Sequence, residues 1–227
     1  MQISKQTLKF LTDLSKNNNR DWFADNKDRY TASHEEMILF ADHVLDLMNQ
    51  HDNIETVSGK KSLFRIYRDV RFSKDKSPYK AWWSGGFKRA TASLRGGYYF
   101  HIEPGGKNFV GGGFWGPNKE DLQRIREEIA MDASEFREIL HSKDFVETFG
   151  TLDGEQLKTA PKGFDKEHPD IDLLRYKQFI FSKQFTDEEV LSPDFGKRLD
   201  DAFQKMRPFF DLMSDVLTTD INGTPLV

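Results

Sequence analysis

Gly97-Tyr98-Tyr99-Phe100-His101-Ile102-Glu103-Pro104-Gly105-Gly106-Lys107-Asn108-Phe109-Val110 is the stretch that decides the fold. Pro104-Gly105-Gly106 reads as a turn between two runs of strand-forming residues. Tyr98, Phe100 and Ile102 share one face of the first run, which reads as core. Tyr99, His101 and Glu103 share the other. The spacing predicts strands over 97–103 and 108–114. Two more period-two runs, 63–72 and 81–89, precede them. Intervals this short suit antiparallel hairpins and leave no room for helical crossovers. A last strand is expected near 174–181.

Outside this meander the period is helical. Ser4 reads as an N-cap before Leu8, Leu11 and Leu14, and the Asn17-Asn18-Asn19 run ends that helix. A second helix is expected over about 22–50. Others are expected over 118–131 and 133–141, with a short turn at 144–149. A final helix over 194–217 is expected to be kinked or divided by Pro208. The order is helices, meander, helices. It predicts an α+β fold, with a central, mostly antiparallel sheet (about 63–115 plus the strand near 174–181) flanked by N- and C-terminal helices. No repeat or long linker interrupts the chain, so 1–227 is expected to form one domain.

The 227 residues include 20 Phe and no Cys. That composition predicts an aromatic core. It excludes disulfides, thiol catalysis and thiolate metal sites, and it fits a reducing cytoplasm. The N-terminal residues reach Lys9 and Asp13 without the apolar run of a signal peptide. No apolar stretch approaches the ~20 residues of a membrane span. The expected location is cytoplasmic, with no membrane partner. A formal charge of −4 and a pI near 5.9 argue against a surface coated in base.

Against that acidic balance stands a cationic island at 65–80. On a regular strand, Arg65, Tyr67, Asp69 and Arg71 form a polar row. Phe64, Ile66, Val70 and Phe72 then form the core face, with Arg68 among them. A buried Arg68 needs a carboxylate or a bulge, and Asp69, Glu103 or a helix acid could supply the charge. Ser73 to Pro78 reads as a loop carrying donors of several kinds, and Lys74, Lys76 and Lys80 could bring positive charge to the mouth of a site. Two readings stay open. One is an internal salt-bridge network with a solvated lysine loop. The other is an anion site for a small molecule bearing phosphate or carboxylate, or for nucleic-acid backbone. Its candidate binding residues are Arg65, Arg68, Arg71, Lys74, Lys76 and Tyr79. Arg175 and Lys177 join them if the strand near 174–181 adds to the meander.

His101 with Glu103 or Asp69 could move protons in an enzyme acting on a phosphorylated or carboxylated substrate. The same residues suit a cross-strand hydrogen-bonding set, the commoner role of a lone strand histidine. A structural or interaction module is the third reading. Gly111-Gly112-Gly113-Phe114-Trp115-Gly116 matches a dinucleotide fingerprint only in letters, since its surroundings are antiparallel and its bulky aromatics crowd the turn. Its glycines read instead as room for aromatic neighbours. Arg20-Asp21-Trp22-Phe23 reads as a staple under the second helix. The aromatic rows could stack bases, although core packing is their default. The histidines lack metal-ligand spacing, and no motif names a cofactor. A carboxylate site for Mg²⁺ stays open.

The pattern Arg65-x-x-Arg68-Asp69-x-Arg71-Phe72-x-x-x-Lys76-x-x-Tyr79 resembles the signature of a widespread family of uncharacterised bacterial proteins. Its domain of unknown function also occurs within longer fungal proteins. The similarity runs through Asn18-x-Arg20-x-Trp22-Phe23, Tyr99 to Pro104, Gly112 to Trp115, Pro161 to Phe164 and Leu174 to Lys177. The resemblance implies no activity and supplies no catalytic residue.

Overall fold

Helix starts follow the capping residues. In α1 (Lys5–Lys16) the Ser4 side chain accepts from the Thr7 amide, and Leu8, Leu11 and Leu14 are buried. The computed structural model describes residues 1–220 and 224–226. The helix expected over 22–50 is divided into α2 (Arg20–Asp25) and α3 (Lys27–Met48). Asn26 makes the break. Its side chain donates to the Trp22 carbonyl and accepts from Arg29, a local bond that competes with helix continuation. A single turn, α4 (Gly59–Ser62), follows.

The sheet contains β1 (Trp83–Lys88), β2 (Gly97–Ile102), β3 (Asn108–Phe114) and β4 (Phe179–Phe185) in that spatial order, all antiparallel. Between β3 and β4 come α5 (Lys119–Met131), α6 (Ser134–His141), α7 (Lys143–Phe149) and α8 (Ile171–Leu174). After β4 come α9 (Asp187–Val190) and α10 (Phe195–Thr218), which runs through Pro208 without a break. The architecture is α+β, as the sequence predicts. No helix among the described residues is long and apolar enough to cross a membrane.

Two expected strands differ in detail. Residues 63–72 make only isolated pairings, Leu63 with Gly85 and Tyr67 with Tyr79. The fourth strand begins at Phe179 because the backbone just before it is used elsewhere. Lys177 N–H donates to the Glu155 carbonyl, and Leu157 N–H donates to that of Arg175.

The residues group into two units. The first comprises 1–87, 99–110 and 184–201, and the second 88–98, 111–183 and the remainder. In the first, Phe40 stacks on Phe195 and meets Phe100 edge-on. The Trp83 indole donates to buried Ser33 at 2.7 Å. Asp187 closes the β2–β3 turn by accepting from the Gly105 and Gly106 amides and the Asn108 side chain. In the second, Phe181 packs against Phe145, Phe149 and Phe209. A Cβ on Gly112 would lie 2.6 Å from the Met206 sulfur and 2.7 Å from the Phe210 ring, so this glycine does make room for an aromatic neighbour. Arg89, 1% exposed, is neutralised by Asp211 and also donates to the Arg95 carbonyl.

One contact fixes the cationic segment. Asn18 Nδ2 donates to the Tyr79 carbonyl at 2.8 Å, and the Tyr79 amide donates back to Asn18 Oδ1 at 3.1 Å. Phe23 stacks on the Tyr79 ring at 4.0 Å. Replacing Asn18 by Ala strands both Tyr79 backbone groups. Asn18→Ala is therefore predicted to destabilise the protein by about 1–3 kcal/mol in urea unfolding. A loss below about 0.5 kcal/mol, less than one net hydrogen bond, would show that water replaces the clamp.

Candidate functional site

Residues 66–80 form a narrow hairpin. Arg68 N–H donates to the Pro78 carbonyl, and Lys80 N–H donates to that of Ile66. The tip is built by its own acids. Asp75 accepts from the Ser77 amide and hydroxyl and from Arg68, and these bonds hold its carboxyl down to about 2. Asp69 accepts two parallel bonds from Arg71, at 2.9 and 2.6 Å.

This geometry corrects the two-faced strand expected over 63–72. Ile66 is buried, but Phe64 is 48% exposed and Phe72 is 96% exposed. Past Tyr67 the chain turns back on itself rather than joining a sheet, so alternation no longer sorts its side chains. Arg68 lies beside Asp75 and the Ser77 carbonyl, not in an apolar interior.

The predicted binding residues divide into two groups. Arg68 and Arg71 are held by carboxylates, and Lys76 donates to the Val70 and Arg71 carbonyls. Tyr79 is buried against Phe23. Lys74 and Arg65 are exposed and form no ion pair among the described residues. Arg175 and Lys177 fall in the second unit. There Lys177 pairs with Glu155, and buried Arg175 Nε has no partner. Neither residue lies on β4.

His101 occupies the polar face of β2, as expected. Its Nε2 lies 3.0 Å from Glu103 Oε2, and its Nδ1 lies 3.1 Å from the Tyr99 hydroxyl. A carboxylate only accepts, so Nε2 carries the proton and Nδ1 accepts from Tyr99 when the ring is neutral. Trp82 and Phe109 stack on the imidazole at 5.5 and 4.9 Å. Burial pushes His101 below its ordinary value, against the pull of Glu103. Burial opposes ionisation of Glu103 too, but Lys107 and His101 outweigh it and hold that carboxyl low. Burial raises the Tyr99 phenol, and Ser84 hydrogen-bonds it in the opposite sense.

Lys80 links the two clusters, a role its sequence position does not reveal. Its ammonium sits 5.8 Å over the Phe64 ring, and Phe64 stacks beside Tyr99. Burial lowers its pKa, and the nearby charge of Arg65 lowers it further. Lys80 in turn disfavours protonation of His101. Arg65, Lys80, His101 and Glu103 thus share one neighbourhood. Asp69 is held by Arg71 and also feels the charge of Arg65.

Among the described residues no group of three or more His, Asp or Glu side chains is placed to hold a metal ion. A cavity of about 510 Å³ in the second unit is lined by Arg124, Glu127 and Asp215 among others, and by none of the predicted site residues.

The chain matches the conserved hypothetical protein family DUF2461 over residues 6–212. It belongs to that family. No curated protein and no solved structure matches it. The DUF2461 match takes in the Asn18 clamp, the hairpin and the β2 histidine together.

His101 yields a pH prediction. Its folded pKa lies below the ordinary 6.5, so its contribution to stability is complete above that value. That contribution is lost as pH falls through the lower folded value, because the unfolded chain then binds the proton more readily. His34 and His43 are depressed by burial too and act in the same direction. Melting temperature is expected to fall from pH 7 to pH 5, and less steeply in His101→Gln. Identical slopes in the two proteins would refute this role for His101.

Proposed function

We propose that this DUF2461 protein binds an anionic ligand on the segment 60–80, which includes the hairpin. The observation that carries the reading is the Arg65–Lys80 pair. Burial lowers Lys80 and the charge of Arg65 lowers it further, with no carboxylate at ion-pair distance from either cation among the described residues. Like charges repel, and such an arrangement costs free energy until a counter-charge arrives. Lys60, Lys61 and Lys74 are likewise without ion pairs, and the hairpin's own acids are already engaged by Arg68 and Arg71. The salt-bridge reading therefore accounts for the tip and leaves five cations over.

A second reading is an enzyme acting on a phosphorylated or carboxylated substrate. The position of Lys80 favours it, because an anion held there lies beside the Glu103–His101–Tyr99 hydrogen-bond chain. Turnover that disappears in His101→Gln while binding persists would support it. Binding without turnover across a panel of phosphoesters would exclude it.

The binding reading is tested with inorganic tripolyphosphate in thermal unfolding. Ligand at about 100 times its Kd adds about 2.7 kcal/mol of stability. The double variant Arg65→Gln/Lys80→Gln is expected to match or exceed the free wild type in stability, because the repulsion is gone, and to lose most of the ligand's effect. An unchanged ligand effect in that variant would place the anion elsewhere.

A further inference from the structure

We infer that the anion is a single-stranded nucleic acid whose bases stack on the exposed aromatic rings of the hairpin. The inference rests on the anion-binding reading and adds a ligand class to it. Phe64, Tyr67 and Phe72 are 48%, 56% and 96% exposed, although bulky aromatics are among the most strongly buried side chains. They share one short segment with Arg65 and Lys74, two cations that form no ion pair among the described residues, so rings and spare cations are presented together. A single strand offers the matching alternation of flat bases and phosphates.

Two of the three rings are braced from behind. Tyr67 leans on Tyr79 at 5.5 Å, and Tyr79 is itself stacked on Phe23. Phe64 is backed by Tyr99. Phe72 carries the Arg71 guanidinium 5.9 Å from its ring centre, and a base could share that sandwich. Each ring has an arginine next to it in the chain, Arg65 beside Phe64, Arg68 beside Tyr67 and Arg71 beside Phe72, and Tyr67 bears a hydroxyl. Insertion into a lipid surface calls instead for a continuous apolar face. A duplex keeps its bases stacked inside, where these rings cannot reach them. A single strand leaves the base faces open.

Fluorescence anisotropy with the full chain tests the inference. The probes are a labelled oligothymidylate, an abasic strand of equal length, the corresponding duplex and anionic lipid vesicles. The thymidylate strand is expected to bind at least about tenfold more tightly than the abasic strand, the increment of one stacked base. Phe72→Ala is expected to erase most of that difference and leave abasic binding unchanged. Phe72 is so exposed that its loss leaves the fold intact, and Tyr67→Ala serves as the second variant. If all five cations outside internal ion pairs engage phosphates, affinity should fall roughly a hundredfold between 50 and 200 mM salt. Equal binding of the thymidylate and abasic strands would overturn base stacking and leave the anion reading standing. Preference for duplex or for vesicles would overturn the ligand class. Failure of every polyanion, tripolyphosphate included, would remove the anion reading itself.

Discussion

The clamp between Asn18 and the Tyr79 backbone is the constraint on which the candidate site depends. A two-stranded hairpin alone is marginal in water. This one has two backbone hydrogen bonds near its base, between Arg68 and Pro78 and between Lys80 and Ile66. Asn18 adds two more to its returning arm, and Phe23 adds a stacked ring. The clamp is reinforced from behind. Trp22 stacks on Phe10, and the Arg29 guanidinium lies 5.8 Å from both ring centres while Asp13 neutralises it. The Asn18-to-Phe23 motif is thus a brace, and Lys80 holds its place because its neighbour in the chain is pinned.

The parts of the fold that were legible are those in which local signals agree. In 97–110 the alternation and the Pro-Gly-Gly turn point to one answer, and β2 and β3 lie there. Asp187, which ties that turn down, gives no such signal. Its partners are about eighty residues away, and only the folded chain brings them together. The segment 63–72 failed for the opposite reason. Its alternation is genuine in letters, but Asp75, Ser77 and Pro78 build a tight return that withdraws the chain from the sheet after one pairing with β1. Phe64 and Phe72, which read as core, are therefore exposed.

The site residues follow the same division. His101 and Glu103 share a face because a strand's period demands it. Arg65 and Lys80 come together because a hairpin folds fifteen residues back on themselves, and that register is invisible until Tyr67 is seen opposite Tyr79. Arg68, Arg71 and Lys76, the most conspicuous cations in the sequence, have mostly structural duties. They neutralise Asp75 and Asp69 and cap loop carbonyls. Charge density in a sequence therefore does not locate spare charge. Subtracting the internal ion pairs does.

That subtraction has a consequence for protons. Burial depresses both Lys80 and His101, and each feels a neighbouring positive charge, Arg65 in the first case and Lys80 in the second. An anion placed beside Lys80 would offset that field. It favours the protonated form of both groups, so on the binding reading ligand uptake and proton uptake are coupled. For His101 the change has a structural consequence on that reading. Once protonated, its Nδ1 donates where it had accepted, and the Tyr99 hydroxyl must turn its own proton away. On the binding reading, the contact that meets an anion would then also reorient a phenol on the sheet face.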